Sequence, residues 1–208
     1  MGEAWPEFMK AEGLEPVKAL YYPHGTRDFY PLMTKALAMN PDFFDIGFTS
    51  QSYASLIIKA AREMGFKGML IAPTIYSVRE LVEVAGKENC EGFVYCTLPS
   101  EGPLAPPKAV AYRKAYEAMF GKYDNFGLRL FDELTTLLYG MELADSLDTT
   151  EIRDALEAAP EVPVSTGKGV WCGEKFYGIK HLLAYSFFMG EVKGGEFVPL
   201  EKIYAPLP

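Results

Sequence analysis

The chain has 208 residues, 49% apolar and 14% aromatic, with a net charge of −8. This is enough chain for one large or two small domains, and enough apolar content to exclude intrinsic disorder. The acidic balance disfavours nucleic acid, which needs clustered Lys and Arg against phosphate, and no run reaches the roughly 18–20 apolar residues of a membrane helix.

Taken in chain order, residues 3–12 read as a helix and Val17–Tyr22 as a strand. Pro23 to Asp28 form a turn, and Phe29 to Met39 a helix with Phe29, Leu32, Met33, Ala36 and Leu37 on one side. The stretch 41–76 carries the most information. Phe43–Phe48 is a short run of β-formers. Leu56, Ile57, Ala60, Ala61 and Met64 recur at helical spacing, Gly65 sits where a C-cap belongs, and Met69–Ala72 is a second buried run. Strand, helix, strand in that order predicts a right-handed βαβ unit and a parallel sheet. Such sheets bind ligands at the carboxyl ends of their strands, here Thr49-Ser50-Gln51 and Thr74-Ile75-Tyr76.

Val78–Ala85 is a further helix stopped by Gly86, and Gly92–Thr97 a strand. Pro99–Pro107 is the clearest break. Helices follow over Lys108–Phe120 and Gly127–Ser146, the second apolar on one face through Leu130, Leu134, Leu137, Leu138 and Met141. Asp148-Thr149-Thr150-Glu151 resembles a capping box opening a helix that runs to about Ala159. Beyond Val162 the period changes to two, and Leu182–Met189 with Phe197–Tyr204 reads as a hairpin across Glu191–Gly195.

Signals for chemistry are absent. There is no GxSxG, P-loop, GxGxxG or HExxH, no CxxC, and only two histidines, His24 and His181, far apart. No catalytic set, metal site or cofactor is expected. Cys90, Cys96 and Cys172 are an odd, low count that argues against a disulfide framework; the spacing of Cys90 and Cys96 allows a local bridge, with buried thiols the plainer expectation. No secretory signal is visible at the start of the chain.

Several motifs, each weak alone, occur together in order. They are Tyr22-Pro23-His24-Gly25-Thr26-Arg27-Asp28-Phe29, Asn40-Pro41-Asp42, the helix end of residues 57–65, and Ala85-Gly86 followed by Glu91-Gly92-Phe93-Val94. Leu130-Phe131-Asp132-Glu133-Leu134 leading to Ala144-Asp145-Ser146, and Gly173 to Ile179, complete the set. Over nearly all of its length the chain resembles the C-terminal part of type I periplasmic binding proteins, in particular the branched-chain amino-acid (Leu/Ile/Val) receptors of ABC importers. The resemblance implies an α/β fold with a parallel sheet and flanking helices, as an incomplete two-lobe fragment. Residues 1–90 and 183–208 would belong to the second lobe and 91–182 would return to the first; the family's opening lobe has no counterpart here. It implies an extracytoplasmic solute-binding component, periplasmic or membrane-anchored outside the cell. This would take a small amino-acid-like or carboxylate solute and deliver it to an ABC permease, with no enzymatic activity. An alternative is a cytoplasmic ligand sensor on the same fold. By the same resemblance Ser50 and Thr74 face the ligand, flanked by Thr49, Gln51, Ile75 and Tyr76, and Leu128 packs on it. Thr74 stands where amino-acid receptors often carry a carboxylate for the ligand ammonium, which favours a less polar or carboxylate-only ligand. A chain with one lobe largely absent is also expected to self-associate.

Overall fold

The computed structural model describes residues 9–15, 18–47, 49–123 and 126–203, with the backbone alone at Phe126, Phe176 and Tyr177. The chain divides into two units, Met1–Tyr95 with Glu191–Val198, and Cys96–Gly190 with Pro199–Pro208. It therefore passes between units three times, after Tyr95, Gly190 and Val198.

In unit 1 the predicted βαβ motif is present. β1 (Phe43–Asp45) lies parallel to β2 (Met69–Ile75), with Phe43 opposite Met69 and Asp45 opposite Ile71. Between them runs α2 (Gln51–Glu63), preceded in the chain by α1 (Tyr30–Leu37). α2 buries Ala54, Ser55, Ile57, Ile58, Ala60 and Ala61. Their three- and four-residue spacing makes one apolar stripe, and small side chains let the helix lie close to the sheet. Gly65 ends it at φ 90°, a left-handed position that glycine takes without a Cβ penalty.

α3 (Val78–Ala85), the short α4 (Lys87–Cys90) and β3 (Val94–Thr97) follow. β1, β2 and β3 join β7 (Phe187–Lys193) and β8 (Glu196–Ile203) in the order β1-β2-β3-β7-β8. Gly194 and Gly195 connect β7 to β8 with φ of 61° and 81°, the positive pair that tight hairpin turns require. The core of unit 1 contains Phe29, Ile58, Leu70, Tyr76, Leu81, Phe93, Tyr95 and Val192.

Two sequence expectations differ from the structure here. Val17–Tyr22 is not a strand over its described residues: 18–22 join no described ladder, although Leu20 and Tyr22 pack on the core. A strand exists through its pairing, and β1 stands at the end of the strand order; β-propensity alone cannot supply a partner. β2 also runs past Ala72 to Ile75 despite Pro73. β1 pairs only as far as Ile71, so the ladder on that side has ended before the residue that lacks an N–H.

Unit 2 contains α5 (Pro107–Phe120), α6 (Phe126–Ala144) and α7 (Thr149–Ala158), then β4 (Val162–Val164), β5 (Gly167–Cys172), the short α8 (Glu174–Tyr177) and β6 (Leu182–Ala184). Asp148 caps α7 as the sequence implied, its Oδ1 accepting from the N–H groups of Thr150 at 2.9 Å and Glu151 at 3.2 Å. α6 and α7 approach at Gly140, where a Cβ would stand 2.7 Å from Leu156 Cγ. The apolar run 182–189 is not one strand. Leu182–Ala184 pairs antiparallel with β5, Tyr185 and Ser186 leave the ladder, and β7 starts at Phe187 and continues through Glu191 to Lys193. One continuous hydrophobic run thus serves two sheets, a division that periodicity cannot see.

Candidate functional site

Because β1 and β2 are parallel, their carboxyl ends emerge on one edge, and unit 1 builds a connected set of loops there. Gln51 opens α2 and spends its side-chain amide on the backbone of Ser77. Its Nε2 donates to Ser77 O at 3.3 Å, and Ser77 N donates to Oε1 at 2.8 Å. Ser77 in turn caps α3, accepting from Glu80 N at 3.3 Å. The Tyr76 ring is buried (1% exposed) and its hydroxyl donates to Thr49 O at 3.1 Å. Tyr22 OH meets Thr49 Oγ1. The two strand-end loops are thus tied by at least three bonds that use backbone groups no ladder reaches.

What remains open is Ser50. It is the exposed N-cap of α2, with extended backbone and no cap bond from its own side chain; its hydroxyl lies 3.3 Å from Ser52 Oγ. The N–H groups at the head of the 13-residue α2 lie beside it, where a helix presents its positive end. Thr74 and Ile75, the last residues of β2, are half-buried. Residues missed in the sequence frame this corner. Tyr53 accepts from Gly25 N at 2.7 Å, and its ring centroid lies 5.5 Å from Tyr22 and 6.1 Å from His24, edge-on in both cases. The turn motif at 22–29 was legible; that it folds onto α2 was not.

The structure therefore brings Thr49, Ser50, Gln51 and Tyr76 together, with different tasks. Gln51 and Tyr76 are engaged with backbone and hold the loops, while Ser50 is accessible. Tyr76→Phe should cost unit 1 about 1 kcal/mol, the worth of one net hydrogen bond, and should raise amide exchange at residues 49–53, measured by hydrogen–deuterium exchange.

Leu128 lies in unit 2 and is fully buried there. On the same side of α6, Asp132 is 5% exposed and accepts two bonds from Ser165, from N at 2.7 Å and Oγ at 2.5 Å. Burial pushes the Asp132 carboxyl above its ordinary value, opposed by the Ser165 bonds and by Lys108. It ties the β4–β5 turn to the helix. A cavity of about 280 Å³ in unit 2, lined by Ile152, Leu156, Trp171, Lys180 and His181 among others, contains none of the residues expected to face a ligand. At its rim Arg153 pairs with Asp154 and His181 with Glu157. All three cysteines are free, and burial raises Cys90 and Cys96 to about 11. Among the described residues no group of three His, Cys, Asp or Glu is placed to hold a metal ion.

A parallel strand pair with flanking helices and tied strand-end loops is the arrangement that the resemblance to type I periplasmic binding proteins implies. Residues 1–196 match the family described as periplasmic binding protein, and the chain belongs to it. Solved structures agree in fold. A leucine-binding protein LivK from Thermotoga maritima superposes with a TM-score of 0.80 at 22% identity, covering 98% of this chain and 56% of that one. A LivJ from Streptococcus pneumoniae in complex with isoleucine gives 0.79 at 19%, covering 96% and 55%. A solute-binding protein of an ABC transporter from R. palustris, in complex with benzoate, gives 0.76 at 19%, covering 98% and 54%. The chain thus spans little more than half the length of these proteins. No curated protein sequence matches it.

Proposed function

We propose that the chain is the solute-binding component of an ABC importer, working outside the cytoplasm and presenting a small organic solute to a membrane permease. The observation that carries this reading is the open head of α2 at Ser50, held beside the end of β2 by Gln51 and Tyr76, in a chain of this family. We assign residues 1–90 and 183–208 to the second lobe and 91–182 to the first, and the ligand contacts to Thr49, Ser50, Thr74 and Ile75. Gln51 and Tyr76 position them, and Leu128 supports the other lobe from within. The role needs binding and release only, so no catalytic group or cofactor is required.

The chemistry favours a carboxylate. Unpartnered N–H groups and the helix dipole at the head of α2 suit an anion, and the Ser50 hydroxyl adds a donor. Thr74 cannot ionise, so it offers no counter-charge to an ammonium group, and a zwitterionic amino acid forgoes a charge-assisted contact there. Simple or aromatic monocarboxylates are the class this corner fits best, and benzoate in the R. palustris protein is a precedent on the same fold.

The test is an amide-resolved NMR titration of the 208-residue chain, which reads weak and tight binding alike. Benzoate is expected to shift amides over 49–53 and 74–77 at lower concentration than leucine or isoleucine does. Thr74→Glu should invert that order, weakening benzoate and strengthening leucine by about tenfold each, the equivalent of about 1.4 kcal/mol at this half-buried position. Shifts scattered away from these loops, or none with any of the three, would remove the proposal.

A further inference from the structure

The cavity in unit 2 is built from three walls. Thr149, Ile152, Arg153, Leu156 and Glu157 recur along α7 at helical spacing and so share one side of it. Trp171 of β5 forms the second wall, and Lys180 and His181, between α8 and β6, form the third. The walls are held before any ligand arrives. The Asp148 cap and the close approach of Leu156 to Gly140 fix α7. β5 is paired on both edges, with β4 through Gly169 opposite Val162 and with β6 through Trp171 opposite Leu183. The floor is apolar: Ile152 is buried, and Leu156 and Trp171 are half-buried. The charges stand at the rim. Arg153 is taken by Asp154, its Nε donating at 2.8 Å, and His181 is taken by Glu157. Lys180 is exposed and pairs with no carboxylate among the described residues.

We propose that this cavity is a further solute site that takes a single-ring monocarboxylate, with the ring on Ile152, Leu156 and Trp171 and the carboxylate at the Lys180 ammonium. It lies in unit 2, whereas the head of α2 lies in unit 1, and it does not depend on what that corner binds. Size sets the first limit. An apolar cavity of about 150 Å³ already holds benzene, and pockets for larger ligands begin at roughly 300 Å³. A volume of about 280 Å³ therefore suits one ring with a short polar arm. Charge sets the second. A ligand carboxylate meets a free cation at Lys180, while a ligand ammonium meets Glu157 and Asp154 already engaged. Solvation sets the third. A protein surface laid over this mouth would strip water from Arg153, Glu157, Lys180 and His181, at a cost for each charge. A small acid buries only its ring and leaves the charged groups wet, so the gain is the apolar area removed from water.

An NMR titration of the 208-residue chain in a Trp5→Phe background tests this, because Trp171 then gives the only indole N–H signal. Phenylacetate is expected to move that signal, together with the amides of 149–157 and 180–184, and to saturate in the millimolar range. Phenylacetamide has the same shape without the charge and should bind about threefold more weakly, the worth of one exposed charge contact. Acetate carries the charge without the ring and should leave the indole signal in place. Lys180→Gln, at an exposed position, should bring phenylacetate down to the level of phenylacetamide with the parent's circular dichroism retained. An indole signal indifferent to phenylacetate would overturn the proposal, and so would a preference for the acid that survives Lys180→Gln. Shifts confined to 49–53 and 74–77 would overturn it too, while leaving the reading of the α2 head intact.

Discussion

Replacing Asp132 with alanine is expected to destabilise unit 2 by about 3 kcal/mol, because the change strands two buried donors at once. Ser165 is 1% exposed, and both its N–H and its hydroxyl give their hydrogens to Asp132 at 2.7 and 2.5 Å. With the carboxylate gone neither finds water. The loss is partly offset, since removing a desolvated acid also removes the penalty of burying its charge. Asp132→Asn keeps an oxygen for Ser165 N and should cost about 1 kcal/mol, which separates the hydrogen bonds from the charge. The pH dependence adds a second signature. Burial holds the folded-state Asp132 carboxyl above its ordinary 3.8, so the folded state retains its proton where the unfolded state has lost it. The group's contribution is then fully present below 3.8 and declines as pH rises through the raised value. The stability gap between the parent and Asp132→Asn should therefore shift in the parent's favour as the solution is made acidic. Urea unfolding followed by Trp171 fluorescence, in a Trp5→Phe background, reads both effects. A gap that is flat with pH would show that Asp132 titrates alike in both states.

How much of this could be read from the residues follows from the range of each interaction. The βαβ unit was legible because its signals are local: the helical repeat from Leu56 to Met64, the left-handed glycine at 65, and two short β-rich runs. The cap at Asp148 was legible for the same reason, since donor and acceptor lie within three residues. What escaped depends on partners far along the chain. That the Gln51 amide bonds the backbone of Ser77, 26 residues on, could not be read from its place at a strand end. Asp132 meets Ser165, 33 residues on, a partner its own stretch of sequence does not announce. The leucine face of α6 is plain in the sequence, but periodicity reports that a face is apolar, not what lies against it. In the fold the helix buries the side bearing Leu128 and Asp132 and leaves the leucines outside. Of the candidate site, the place was legible from the parallel-sheet rule, and the division of labour within it was not.

The largest single effect is expected at Phe93, where packing and site meet. Phe93 is fully buried, stacked on Tyr95 with ring centroids 5.4 Å apart and tilted against Tyr76 at 6.0 Å. Tyr95 meets Phe197 edge-on at 4.9 Å, so four rings, from the 76–77 loop, Phe93 just before β3, β3 itself and β8, form one aromatic layer. Truncating the middle of that layer removes the transfer free energy of a ring and leaves a cavity that neighbouring rings cannot collapse into without leaving their rotamers. Phe93→Ala is thus expected to cost unit 1 about 4 kcal/mol, a large share of the roughly 5–15 kcal/mol that holds a whole domain. The consequence travels by contact. Tyr76 loses a wall of its slot, its hydroxyl loses its aim at Thr49 O, and the loop presenting Ser50 loosens. Phe93→Leu, which keeps most of the volume, should cost about 1 kcal/mol and leave the loop in place. Urea titration gives the two stabilities, and hydrogen exchange over residues 49–53 reads the loop at conditions where both variants stay folded. Faster exchange in Phe93→Ala with parental exchange in Phe93→Leu would confirm that the aromatic layer, through Tyr76, sets the rigidity of the binding corner. Equal exchange in both variants would confine Phe93 to the core and assign the loop's order to the Gln51–Ser77 bonds alone.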